Sequence, residues 1–273
     1  MLKQRVITAL ILAPLVMMAV LLLPTVYVAA FLALVVAVGG REWARLSGIR
    51  ASWLQLFYAL LMVLVMAVSF VAIPESWIPW VMAVSLLWWC TAIYRLARYR
   101  SEPVSEHFAP VQALEGFLVL LPAWIALVTL HRVPHYGPGL LLFVLILIWS
   151  ADVGAYFAGH RWGHRKLAPR VSPGKTREGV YGAMASALLC GLILVWWLDA
   201  GLETAPLILL LCLITMMLSV VGDLFESLLK RQRGMKDSGT LLPGHGGMLD
   251  RIDSVTAAAP MFLFGLTLLG KVS

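Results

Sequence analysis

Long apolar runs, broken by short polar ones, dominate the chain. A membrane-spanning helix needs about 20 apolar residues, with a range of roughly 17–25. Nine runs meet or approach that length: Val6–Leu23, Thr25–Val38, Trp53–Ile73, Trp77–Tyr94, Gly116–Leu130, Leu140–Phe157, Gly179–Leu198, Thr204–Gly222 and Ile252–Gly270. The second and fifth are short, and Pro24 is a natural break within an apolar stretch too long for one helix. The pattern predicts an all-α, polytopic integral membrane protein of about nine transmembrane helices.

Basic residues supply an orientation. With the N-terminus in the cytoplasm and the nine runs alternating, all but Arg132 and Lys271 of the 21 Lys and Arg residues fall on the cytoplasmic side. That asymmetry is what the positive-inside rule requires. The outer connections are a few residues each, whereas two inner loops, residues 160–178 and 231–250, are long and rich in Gly, Pro and charge. Loops of that kind are usually functional or disordered. Two regions follow: residues 1–135, a set of N-terminal transmembrane helices, and residues 136–273, a catalytic transmembrane region carrying both loops.

Composition agrees with lipid exposure. Hydrophobic residues make up 61% and charged residues 13% of 273 residues, against about 45–50% and about 25% in soluble domains. The net charge of +7 is explained by topology, so nucleic acid is not an expected partner; the lipid bilayer is. Cys90, Cys190 and Cys212 each lie in an apolar run without metal-ligand spacing and read as packing residues. His107, His131, His135, His160 and His164 lack paired metal spacing and read as interfacial or loop residues. Trp77, Trp80, Trp196 and Trp197 fit an interfacial aromatic belt.

Three stretches on the cytoplasmic side carry chemistry. In Gly222–Asp253, Asp223 and Glu226 are one helical turn apart at the end of the eighth run, and Asp250 and Asp253 repeat that spacing at the start of the ninth. Ser227, Lys230, Arg231, Lys236, His245, Gly246, Gly247 and Arg251 lie on or between them. Carboxylates near lipid pair, line a polar cavity or bind ions. Mixed with bases around a Gly-rich turn, they suit a metal–phosphate site: carboxylates hold Mg2+, and Lys and Arg offset phosphate charge. A plain salt-bridge network, such as Glu226 with Lys230, is the simpler reading of any one pair. The second stretch, Ser172–Gly179 (SPGKTREG), lacks the first Gly and the preceding strand of a P-loop. It reads as a phosphate-binding turn at a helix N-terminus, with Ser172, Lys175 and Thr176 as candidates. The third, Asp152–Gly159, places Asp152 and Tyr156 on one face.

The stretch SLLKRQRGMKDSGTLLPGHGGMLDRID resembles the signature of the phosphatidate cytidylyltransferase (CDP-diacylglycerol synthase) family: S-x-x-K-R, then K-D, then P-G-H-G-G-x-x-D-R-x-D. The SPGKTxEG and DxxAYxxG segments resemble the same family. The resemblance implies the reaction CTP plus phosphatidate to CDP-diacylglycerol plus pyrophosphate, at the cytoplasmic face of the inner membrane. It implies a divalent cation such as Mg2+ held chiefly by Asp223 and Asp250, with Asp152, Glu226 and Asp253 as further candidates, and a second cation such as K+. Lys175, Lys230, Arg231, Lys236 and His245 fall on signature positions, and with Asp223 and Asp250 the first three are the expected catalytic residues. A homodimer is implied by the resemblance alone. An anionic-lipid transporter or flippase would place its charges near the midplane on broken helices. A CTP-dependent lipid-alcohol kinase shares substrates and should lack the full signature.

Overall fold

A computed structural model describes residues 14–100, 104–105, 107–241 and 246–272. Residues 14–22 are helical and lead into the break at Pro24. Eight helices follow: α1 (Thr25–Leu46), α2 (Ser52–Ala72), α3 (Ile78–Arg98), α4 (Pro110–Arg132), α5 (Gly137–Trp162), α6 (Arg177–Trp197), α7 (Ala205–Gln232) and α8 (Leu249–Leu268). Among the described residues, seven helical segments are long and apolar enough to cross a membrane, spanning α1 to α7. The protein is thus polytopic and its frame is helical. The expected second and fifth runs are longer than their apolar cores suggest: α1 continues past Val38 to Leu46, and α4 begins at Pro110. Pro at N1 suits α4, because that position needs no backbone N–H.

The all-α frame carries one short β-element besides its helices. Lys166–Ala168 (β1) and Ser172–Thr176 (β2) form an antiparallel hairpin, with Lys166 opposite Thr176 and Ala168 opposite Ser172. SPGKT is therefore a strand rather than a bare turn. Thr176 ends it in an extended conformation and caps α6, accepting a hydrogen bond on Oγ1 from Gly179 N at 3.1 Å.

The ninth apolar run behaves unlike the others. As α8 it falls short of the hydropathy of a lipid-facing helix, since Asp250, Arg251 and Asp253 open it. Residues 254–260 are all buried, and α8 packs on α1, α3, α4, α5 and α7. Small side chains such as Ala257, Ala258 and Ala259 let those neighbours approach. α8 is a central strut wrapped by protein.

Side-chain ties sort the helix ends into two layers. At one end, His131 of α4 is buried, with Nδ1 2.9 Å from Thr25 Oγ1 and Nε2 2.9 Å from Val20 O. It is a packing group, not the interfacial residue its spacing suggests. At the other end, four connections meet. Ala109 N donates to Ser47 O, Ser105 N donates to Gln232 O, and Arg231 Nε donates to Val171 O. Arg233 donates to Leu46 O at 2.5 Å, Ser105 O at 2.8 Å and His107 O at 2.7 Å.

Candidate active site

α5 and α6 cross closely because Gly154 and Gly182 face each other. A Cβ on Gly154 would meet Ser186 Oγ and the Gly182 carbonyl, and one on Gly182 would meet the Gly154 carbonyl. This crossing sets Asp152 on α5 beside the hairpin. A cavity of about 380 Å³ opens there between α5, α6, α7 and β2. Ala151, Ala155, Val180 and Ala183 form apolar wall, and Asp152 and Lys175 supply the charge.

Lys175 projects from β2 to α7, where Nζ lies 2.6 Å from Asp223 Oδ2. Both side chains keep about a third of their surface open, 27% and 31%. Ser227 Oγ donates to Asp223 Oδ1 at 3.4 Å. Asp152 has Lys175, Asp223 and Arg251 as its electrostatic neighbours. Asp253 has Asp223, Glu226 and Lys175. The hairpin, α5, α7 and α8 therefore deliver charged groups to one place.

A second, buried cluster lies alongside. Lys230 Nζ is 3.1 Å from Glu226 Oε2 and 2.5 Å from Asp250 Oδ1. The other oxygen of Asp250 accepts from Ser238 N at 3.0 Å, Ser238 Oγ at 3.0 Å and Gly247 N at 2.7 Å. Gly246 sits at φ +81°, where a Cβ would be strained and would also strike Asp250. The glycines thus let backbone close on a carboxylate of the protein itself. Glu226 is buried beside Asp253, and its Oε1 has no donor among the described residues.

Asp223 and Asp250, expected to share a cation, have different lysines as partners. Among the described residues, no three His, Cys, Asp or Glu side chains are arranged as a ready metal cage. Arg231 bonds the carbonyls of Val171 (3.2 Å) and Met235 (3.4 Å), fastening the hairpin to the loop after α7. Lys236 and Arg251 are exposed, Ser172 is half-buried on β2, and His245 lies outside the described residues. Two contributors carried no motif signal: Ser238 and Glu42. A lone glutamate ending an apolar run was the available clue, since a carboxylate at that depth demands partners.

Comparisons with known proteins agree over nearly the whole length. The model of the Cytidylyltransferase family matches residues 3–269. A protein of Pseudomonas aeruginosa named phosphatidate cytidylyltransferase is 44% identical over 263 residues, 96% of each chain. One of Haemophilus influenzae with the same name is 36% identical, covering 97% of this chain and 98% of its own. One of Bacillus subtilis, also so named, is 42% identical over 161 residues, 56% of this chain and 58% of its own.

Proposed function

The chain belongs to the cytidylyltransferase family, and from that premise we propose how its two lysine–carboxylate clusters serve the synthesis of CDP-diacylglycerol from CTP and phosphatidate. The enzyme is a nucleotidyltransferase of phospholipid synthesis. The observation that carries the reading of the site is the Lys175–Asp223 pair beside an apolar-walled cavity of about 380 Å³. Charge next to apolar wall suits an amphiphile whose phosphate must meet a water-soluble nucleotide.

The nucleophile is an oxygen of the phosphatidate phosphate. Its second pKa is about 6, so at neutral pH it needs no strong base. It attacks the α-phosphorus of CTP; the new P–O bond forms as the α–β bridge breaks, and pyrophosphate leaves with the electron pair. The obstacle is mutual repulsion of polyanions, which positioning and charge neutralisation overcome. Lys175, paired with Asp223, and Arg251, an electrostatic neighbour of Asp152, bring positive charge to this place, with Lys236 on the adjoining loop. Lys230 holds Asp250, and Arg231 holds the hairpin.

Oxygen donors for a divalent cation would come from Asp223 and its electrostatic neighbours Asp152 and Asp253, with Glu226 beside Asp253, although as they stand these carboxylates are not arranged as a cage. Such hard oxygen ligands suit Mg2+, which when bound offsets charge on the transferring phosphates. Asp250 would support this set through Lys230, and a second cation such as K+ would draw on the same oxygen chemistry. Chelation with EDTA should abolish turnover and Mg2+ should restore it; full activity in excess EDTA would end this assignment.

We place the chain in the bacterial inner membrane with nine spans, the N-terminus and the site facing the cytoplasm. The basic asymmetry supports this, together with the meeting of the four basic connections at one end. The reaction is tested with CTP labelled at either phosphate. Label at the α-position should enter lipid, and label at the γ-position should leave as pyrophosphate. Transfer of γ-label to lipid would indicate a kinase, and no covalent label at all a transporter.

A further inference from the structure

Glu42 stands near the end of α1 and is 9% exposed. A carboxylate so buried must be satisfied. Its partners come from the signature segment, about two hundred residues away. Oε1 accepts from Met248 N at 3.0 Å; Oε2 accepts from Leu249 N at 2.7 Å and from Ser238 Oγ at 2.9 Å. Met248 and Leu249 begin α8, which has no side-chain cap from its own N-cap residue. Glu42 therefore supplies, from another helix, the anion that α8's free N–H groups and dipole favour. Gly239 and Gly247 press on the same carboxylate: a Cβ on either would collide with its oxygens. Ser238 Oγ stands equally close to Asp250 Oδ2, at 3.0 Å, and Asp250 in turn meets Lys230. One chain of polar contacts runs from α1 through the loop to α7.

We infer that Glu42 is a positioning residue for cytidylyl transfer: Ser238, Gly239 and residues 247–249 close around its carboxylate, and that closure fixes Asp250 against Lys230. Glu42 itself touches neither substrate. The inference rests on the reading that the Asp250–Lys230 cluster belongs to the site.

Glu42→Gln keeps size and shape but turns an NH2 toward backbone donors. In purified protein its kcat should fall about 10–100-fold, as losses of outer partners do, while KM for CTP and phosphatidate stays within about twofold. Ser238→Ala should add less in the Glu42→Gln background than it does alone, because both act through one network. In Glu42→Ala, added formate should restore part of kcat and leave wild type unchanged, which no loss of fold would allow. Should Glu42→Ala fail to fold, the Gln and Ser238 variants decide. Wild-type kcat in Glu42→Gln would overturn the inference. So would a loss of activity that tracks melting temperature, adds fully with Ser238→Ala and ignores formate. A wild-type protein inactive toward CTP and phosphatidate in the same assay would instead sink the functional reading.

Discussion

Lys230 and Lys175 face similar partners and should fail in different ways. Lys230 is 8% exposed and neutralises two carboxylates almost sealed from water. Removing one member of such a cluster leaves buried charge uncompensated, at a cost of about 3–5 kcal/mol. Lys230→Met should therefore lower the melting temperature in detergent as well as activity; an unchanged melt would show that the cluster bears no stabilising load. Lys175 and Asp223 are open to solvent, and exposed pairs contribute at most about 1 kcal/mol. Lys175→Ala should melt like wild type while turnover drops by about tenfold or more. Wild-type turnover in that variant would reduce the pair to a surface ion pair. The sequence showed these residues because their spacing and chemistry are local: i, i+3 acids, a Lys in SPGKT. It hid Glu42, whose partners lie in another part of the chain, and it left open which lysine each aspartate would take.

At the scale of elements, the hairpin and the α5–α6 crossing make the cavity. Thr176 was expected to touch phosphate, and its hydroxyl is engaged in capping α6. Thr176→Val should cost about 1 kcal/mol of stability, the usual effect of losing an N-cap, and Thr176→Ser should recover it; if Ser recovers stability but not turnover, the methyl group matters to the site. Gly154→Val should push α5 from α6, with an overpacking penalty of about 1–3 kcal/mol and loss of activity; a fully active variant would mean that the crossing does not shape the cavity. Helix positions were legible because each apolar run is long and unbroken. Their ends were less so, since α1, α4 and α5 continue beyond the apolar core, where polar residues make protein contacts. The strand character of SPGKT was not legible at all: five residues with Pro and Gly carry little β signal, and the hairpin depends on Arg231 and on pairing with β1.

At the scale of the molecule, five of the seven long apolar helices among the described residues pack around a helix that protein covers, and every group assigned to chemistry lies at one end of that bundle. The ends differ in kind: one is closed by His131 and short connections, the other gathers the hairpin, the loops and the acids. The central claim is that CTP meets lipid at this second end. It is tested in proteoliposomes of a variant with Cys90, Cys190 and Cys212 replaced by Ala and one new cysteine, Met235→Cys or Ala200→Cys. An impermeant maleimide scores which end faces outward, and CTP is supplied outside only. Turnover should rise in proportion to the fraction of molecules with residue 235 labelled from outside. Turnover that instead follows the labelling of residue 200, or labelled fractions in the two variants that rise together rather than sum to one, would contradict the account.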